Sequence, residues 1–198
     1  PVGLPNHAEL AVKSALRMAD VIKAVNEAHL AKGLPEIGIG IGINTGMMCV
    51  GDMGSQERQA YTVIGDAVNL GSRLEGLSKS YGVEIVVSAT TRKQVPDYAW
   101  QELDKVRVKG KLEAVSIYTP WGLVTQLGTD EQTELKTWSQ FIKAYRNQDW
   151  EQCDVLLLNI QRLHAAKYLY HLYQERLGSL RHEALDPQWD GATNFETK

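Results

Sequence analysis

Residues 36–44 read Glu-Ile-Gly-Ile-Gly-Ile-Gly-Ile-Asn, an unbroken two-residue alternation. Side chains on a strand point to opposite faces in turn, so one face is all isoleucine and the other all glycine. The isoleucine face is predicted to pack on helices. The glycine face has no side chains of its own, so another backbone or a ligand is expected to come close. The preceding segment supplies such a helix. Over residues 7–32, Leu10, Ala11, Ala15, Met18, Val21, Ile22 and Val25 recur at three- and four-residue steps. Gly33 and Pro35 end it.

Beyond the strand, Thr45-Gly46 reads as a turn into a second strand, 47–51, expected to be its hairpin partner. Residues 51–55 read as a loop and 59–64 as extended. A helix is predicted over 66–81, stopped near Gly82. A buried strand over 83–87 and a short helix over 88–95, with Ser88 as its N-cap, come next. Two strands, 100–109 and 113–118, are expected to join at Gly110, and Pro120 to close the unit. From Thr129 to Arg181 the pattern is helical, with Trp138, Phe141, Ala144 and Tyr145 on one face and a turn at 147–149. That arrangement resembles one repeat of a tetratricopeptide array; the alternative is a helical hairpin packing on the first domain. Residues 187–191 form a turn-rich tail. The expected division is 1–124 and 125–198.

Net charge is −3 and the isoelectric point near 6.0, which argues against a basic nucleic-acid surface. No apolar run is long enough to span a bilayer, and the cytoplasm is the expected compartment. Cys49 and Cys153 match no metal spacing and read as reduced thiols. A start at Pro1 without methionine reads as a fragment of a longer protein, whose upstream region is open to a membrane anchor.

The chemistry-bearing stretch is Tyr61-Thr62-Val63-Ile64-Gly65-Asp66, continuing through Val68-Asn69 to Ser72-Arg73-Leu74-Glu75. It runs from a strand through a glycine into a helix. Asn69 and Arg73 are four residues apart and share one helix face. A helix start offers unpaired N–H groups to an anion, and Arg73 adds a planar fork of donors. Asp66 reads as a structural cap rather than a metal ligand.

This order of residues resembles the signature of class III nucleotidyl cyclases, over residues 4–123. The resemblance implies an α+β fold with a ferredoxin-like βαββαβ core, incomplete at the N-terminus and followed by an α-helical extension. It implies conversion of ATP to cyclic AMP and pyrophosphate, in a homodimer with active sites at the interface, of the kind found in bacterial signalling proteins. Arg73 would stabilise the α-phosphate and Asn69 orient the ribose. Thr62 would read the purine, with the Val63 backbone and the Val68 side chain beside the base. Lys109 would hold the terminal phosphates, and Lys111 could take its place. The family's Mg²⁺ or Mn²⁺ is held by two aspartates on elements before residue 7, so no metal ligand is expected in this chain, and the fragment alone is expected to be inactive. Gly71 stands where many relatives have alanine.

The rivals are a guanylate cyclase, since a threonine hydroxyl both donates and accepts, and a non-catalytic dimerising or regulatory module. A ferredoxin-like RNA binder fits the acidic balance poorly. Gly38, Gly40 and Gly42 do not make a dinucleotide fingerprint, and there is no phosphate-binding GxxxxGK[ST] loop. His164, His171 and His182 lack ligand spacing and read as surface residues.

Overall fold

The computed structural model describes residues 3–55, 58–108, 113–164, 167–186 and 188–195. Helix α1 (His7–Leu30) leads to β1 (Ile41–Ile43), then the hairpin β2 (Cys49–Ser55) and β3 (Arg58–Ile64). Helix α2 (Asp66–Tyr81), β4 (Ile85–Ser88), α3 (Ala89–Arg92), β5 (Tyr98–Val108) and β6 (Val115–Leu123) follow. The tail adds α4 (Thr129–Arg146), α5 (Trp150–Leu163), α6 (Tyr168–Leu180) and β7 (Ala192–Phe195). The α+β class expected from the sequence is the one observed.

Five strands form one sheet in the order β1-β4-β6-β5-β7, and β2 and β3 form a separate two-stranded ribbon. The two outer pairings, β1 with β4 and β5 with β7, are parallel. On one face, Ala15 and Ala19 of α1 pack with Ile85 and Val87, flanked by Ile41 and Ile43. This is the isoleucine face meeting its helix.

The other face carries α2, and here the glycines act as expected. A Cβ on Gly42 would lie 2.1 Å from the Gly71 carbonyl oxygen and 2.4 Å from the Glu75 nitrogen. The helix backbone thus rests directly on the strand. Leu70, Leu74, Leu77 and Tyr81 of α2 join Val86, Leu103, Val106 and Ile117 of the sheet in one core. The same core takes in Trp138, Phe141 and Tyr145 of α4, Leu157 of α5 and Tyr170 and Tyr173 of α6. The tail helices therefore share a hydrophobic core with the sheet and the signature helix. Edge-to-face rings strengthen that join, with Tyr173 at 5.2 Å from Trp138 and 5.5 Å from Phe141.

Four local expectations need correction. The strand is shorter than 36–44, because only Ile41–Ile43 has a ladder partner. Ile37 is held instead by Asn26, whose side chain accepts from its N–H at 2.8 Å and donates to its C=O at 3.0 Å. The strand after the Thr45-Gly46 turn pairs with β3 rather than with β1, in register from Cys49↔Ile64 to Ser55↔Arg58. That pairing draws the expected loop 51–55 into β2, so its Gly, Asp and Ser content is overridden by a cross-strand partner. Pro120 lies inside β6 rather than ending it. It pairs with Trp100 next to a register shift, where a missing N–H is tolerated.

Candidate active site

Helix α2 begins at Gly65, whose φ of 150° suits glycine alone, and ends at Gly82 in the left-handed conformation. Gly65, not Asp66, occupies the N-cap position. Asp66 is the first helical residue and makes no side-chain cap, so its charge acts on the helix dipole only. The first turn is fastened from outside by Asn44, whose side-chain amide donates to the Ala67 carbonyl at 2.9 Å. With Gly42 behind Gly71 and Glu75, this fixes the height and rotation of the helix on the sheet.

Asn69 and Arg73 project from that fixed helix and are both exposed. Four helical residues separate their Cα atoms by about 6 Å along the axis. Among the described residues Arg73 forms no ion pair and the Asn69 side chain no hydrogen bond. Neither Glu75 nor Asp66 pairs with the guanidinium among the described residues. Val68 is half-buried beside them.

Thr62 and Val63 lie on β3, next to α2, and both are exposed. The register sets Thr62 opposite Gly51 and Val63 opposite Val50, so the two side chains point to opposite faces of the ribbon. Thr62 shares its face with Ile64, while Val63 shares its own with Tyr61. Lys109 and Lys111 lie outside the described residues.

Thr62, Val63, Asn69 and Arg73 are all solvent-exposed. A cavity of about 680 Å³ lies on the other face of the sheet, between α1 and β6, lined in part by Lys13, Arg17, Glu84 and Trp121. It touches none of Thr62, Asn69 or Arg73. The signature residues sit on an open surface instead.

That surface adjoins an apolar patch. Met47 is 94% exposed, Tyr61 62% and Ile64 54%, with Met48, Val50 and Val63 also exposed. All lie on or beside the β2–β3 ribbon. A two-stranded ribbon with apolar groups on both faces is not stable in water by itself. It calls for a covering surface.

Among the described residues, no three His, Cys, Asp or Glu side chains are grouped to hold a metal ion. His164 has a role that spacing did not suggest. Its Nε2 lies 3.0 Å from Oε2 of the fully buried Glu134, whose Oε1 accepts from Lys167 at 2.6 Å and from the Tyr170 hydroxyl.

Comparison with known proteins shows which family this α+β domain belongs to. The sequence profile described as "Adenylate and Guanylate cyclase catalytic domain" matches residues 2–120, and the chain belongs to that family. Adenylate cyclase 1 of Rhizobium meliloti is 39% identical over 132 residues, which is 66% of this chain and 20% of that protein. The adenylate cyclase of Anabaena cylindrica is 38% identical over 118 residues, 56% of this chain and 24% of that one. The chain thus spans a fifth to a quarter of the length of these two relatives. Among solved structures, the guanylyl cyclase Cya2 superposes with a TM-score of 0.54 at 31% identity, covering 65% of this chain and 64% of its own. The adenylyl cyclase CyaB of P. aeruginosa gives 0.50 at 32% identity, covering 60% and 62%.

Proposed function

We propose that this chain is the nucleotide-gripping part of an adenylate cyclase, converting ATP to 3′,5′-cyclic AMP and pyrophosphate. The observation that carries the reading is the unpaired, exposed Asn69–Arg73 face on a helix anchored backbone-to-backbone against the sheet. The 3′-oxygen of the ribose attacks the α-phosphorus and loses its proton. The bond from that phosphorus to the bridging oxygen breaks, and pyrophosphate leaves with the electron pair. Arg73 stabilises the charge that builds on the α-phosphoryl oxygens, and Asn69 orients the ribose. Thr62 contacts the purine, Val63 approaches it through its backbone, and Val68 packs on the base. Lys109 holds the terminal phosphates. The divalent metal that the family uses is supplied, in this reading, by carboxylates outside residues 1–198. The active species is a homodimer in which the β2–β3 ribbon is covered by the second protomer. The work is done in the cytoplasm, and no helix among the described residues is long and apolar enough to cross a membrane.

A guanylate cyclase is the second reading, favoured by the likeness to Cya2 and by the two-way hydroxyl of Thr62. Assaying the whole protein with ATP and GTP side by side decides between them. The adenylate reading expects cyclic AMP as the main product, and a dominant cyclic GMP signal overturns it. A purely regulatory module forms neither product.

A further inference from the structure

The far end of the signature helix is clasped by the tail. Tyr81, the last residue of α2, is fully buried and donates its hydroxyl to Oδ2 of Asp104 on β5 at 2.7 Å. The same oxygen accepts from Arg176 Nη1 of α6 and from the Thr193 hydroxyl of β7, each at 2.7 Å. Asp104 is 1% exposed, and with the Lys105 N–H on its Oδ1 at 2.7 Å protein donors stand in for water around it. One carboxylate oxygen therefore ties α2, β5, α6 and β7 together. Burial and the Asp104 carboxylate both push the Tyr81 hydroxyl well above the ordinary tyrosine range, so it remains a proton donor.

Two further contacts bind the same helix end. A Cβ on Gly82 would meet Tyr168 Cβ at 2.7 Å, so the start of α6 is seated on the C-cap of α2. The ring of Phe195 on β7 lies 6.1 Å from the Tyr81 ring. Helix α2 is thus held at its first turns by Asn44 and Gly42, and at its last turn by tail residues and Asp104 in addition to the sheet core.

We propose that Tyr81, Asp104 and Arg176 form a positioning junction through which the tail sets the signature helix that carries Asn69 and Arg73. The inference rests on the cyclase reading for its consequence but not for its geometry. A rigid helix fixed at both ends holds side chains in its middle to within a fraction of an ångström. Released at its last turn, the helix can roll about its own axis on the sheet, and Asn69 and Arg73 turn with it. A misplacement of about 1 Å at a reacting centre is enough to cost about a hundredfold in rate. Tyr81 and Arg176 touch no substrate in this scheme, so they are positioning residues rather than catalytic ones.

Two conservative variants separate positioning from simple stability. Tyr81→Phe removes the donor from α2 and keeps the ring. Thr193→Val removes a donor from the same Asp104 oxygen and leaves α2 untouched. Hydrogen exchange followed by mass spectrometry on the 198-residue chain is the first readout. The expected result is exchange faster by about five- to tenfold across residues 66–73 in Tyr81→Phe, the size of one lost hydrogen bond, and unchanged there in Thr193→Val. Faster exchange confined to residues 78–82, or equal effects of the two variants on 66–73, overturns the proposal. The second readout is turnover by the whole protein. The expected split is a lowered kcat at similar KM for Tyr81→Phe and wild-type values for Thr193→Val. Equal kcat values for wild type and Tyr81→Phe overturn the proposal. Absence of any turnover in the wild type counts against the cyclase reading, and the exchange result then decides the junction.

Discussion

The glycine face of the first strand yields a graded test. A methyl at Gly42 would sit 2.1 Å from the Gly71 oxygen, where ordinary contact begins near 3.4 Å. Its other neighbours are the Glu75 nitrogen at 2.4 Å and Cα at 3.0 Å, all backbone of one helix. No side-chain rotation relieves this, so α2 must retreat by roughly 1 Å. Overpacking of a tight core costs about 1–3 kcal/mol, and Gly42→Ala belongs at the top of that range. At Gly40 the methyl would meet the ends of two side chains, Ser78 Oγ at 2.6 Å and Glu75 Oε1 at 2.9 Å. Those can move, and the expected cost is about 1 kcal/mol. At Gly38 nothing lies within 4 Å. Gly38→Ala should be neutral or stabilise by a few tenths of a kcal/mol through the unfolded chain. Urea unfolding of the three variants should rank Gly38→Ala, then Gly40→Ala, then Gly42→Ala. For a chain of this size about 3 kcal/mol also corresponds to a fall in Tm of about 10 °C. A Gly42→Ala protein as stable as Gly38→Ala would refute the claim that the helix backbone rests on this strand.

Four further outcomes follow from the same geometry. Lys167→Met takes the ammonium away from Oε1 of the buried Glu134 and should cost about 3 kcal/mol in urea unfolding. Glu134→Gln removes the buried charge itself, and Lys167, 38% exposed, returns to water, so the cost should be about half as large. Burial pushes the Cys153 thiol up to about 12, while Cys49 is exposed, so a thiol reagent should titrate one cysteine in the native protein and two in denaturant. The hydrogen bond from Lys105 leads the effects that pull Asp190 from 3.8 down to about 2, so its contribution is full above pH 4 and fades toward pH 2. The pair is partly exposed, so the gap between wild type and Asp190→Asn should be about 1 kcal/mol or less near pH 6 and vanish by pH 2; a gap independent of pH contradicts the assignment. Arg73→Ala should leave stability within about 0.5 kcal/mol, since the side chain is exposed and unpaired.

Much of this was legible wherever local chemistry and tertiary demand agree. Helix α2 runs from Asp66 to Tyr81 and stops at Gly82 as its periodicity and terminal glycine require. Ser88 caps α3 by accepting from the Thr91 N–H at 3.3 Å. The Ile/Gly alternation foretold both a helix on one face and a backbone on the other. The failures arise where a distant partner decides. Residues 51–55 carry turn chemistry but become a strand because β3 lies alongside. β7 is four residues after a turn, Ala-Thr-Asn-Phe, with no strand signature of its own. It forms because β5 offers Lys105 to Val108 as an open edge and Asp190 ties down Lys105 and Arg107, each at 2.8 Å. At the site, the motif names Asn69, Arg73, Thr62 and Val63, and all four are exposed, two on α2 and two on β3. The Asp104 junction was missed because its members are far apart in sequence, from Tyr81 to Thr193, and an aspartate within a strand gives no local signal.

In the proposed function, the exposed face of α2 grips a nucleoside triphosphate during cyclisation. The most direct measurement is cyclic AMP formed from ATP by the whole protein, wild type beside Arg73→Ala, with melting curves of both. Coincident melting curves are expected, with a kcat at least a hundredfold lower in the variant, the scale for removing a donor aimed at transition-state charge. Equal rates from equally folded proteins would contradict it.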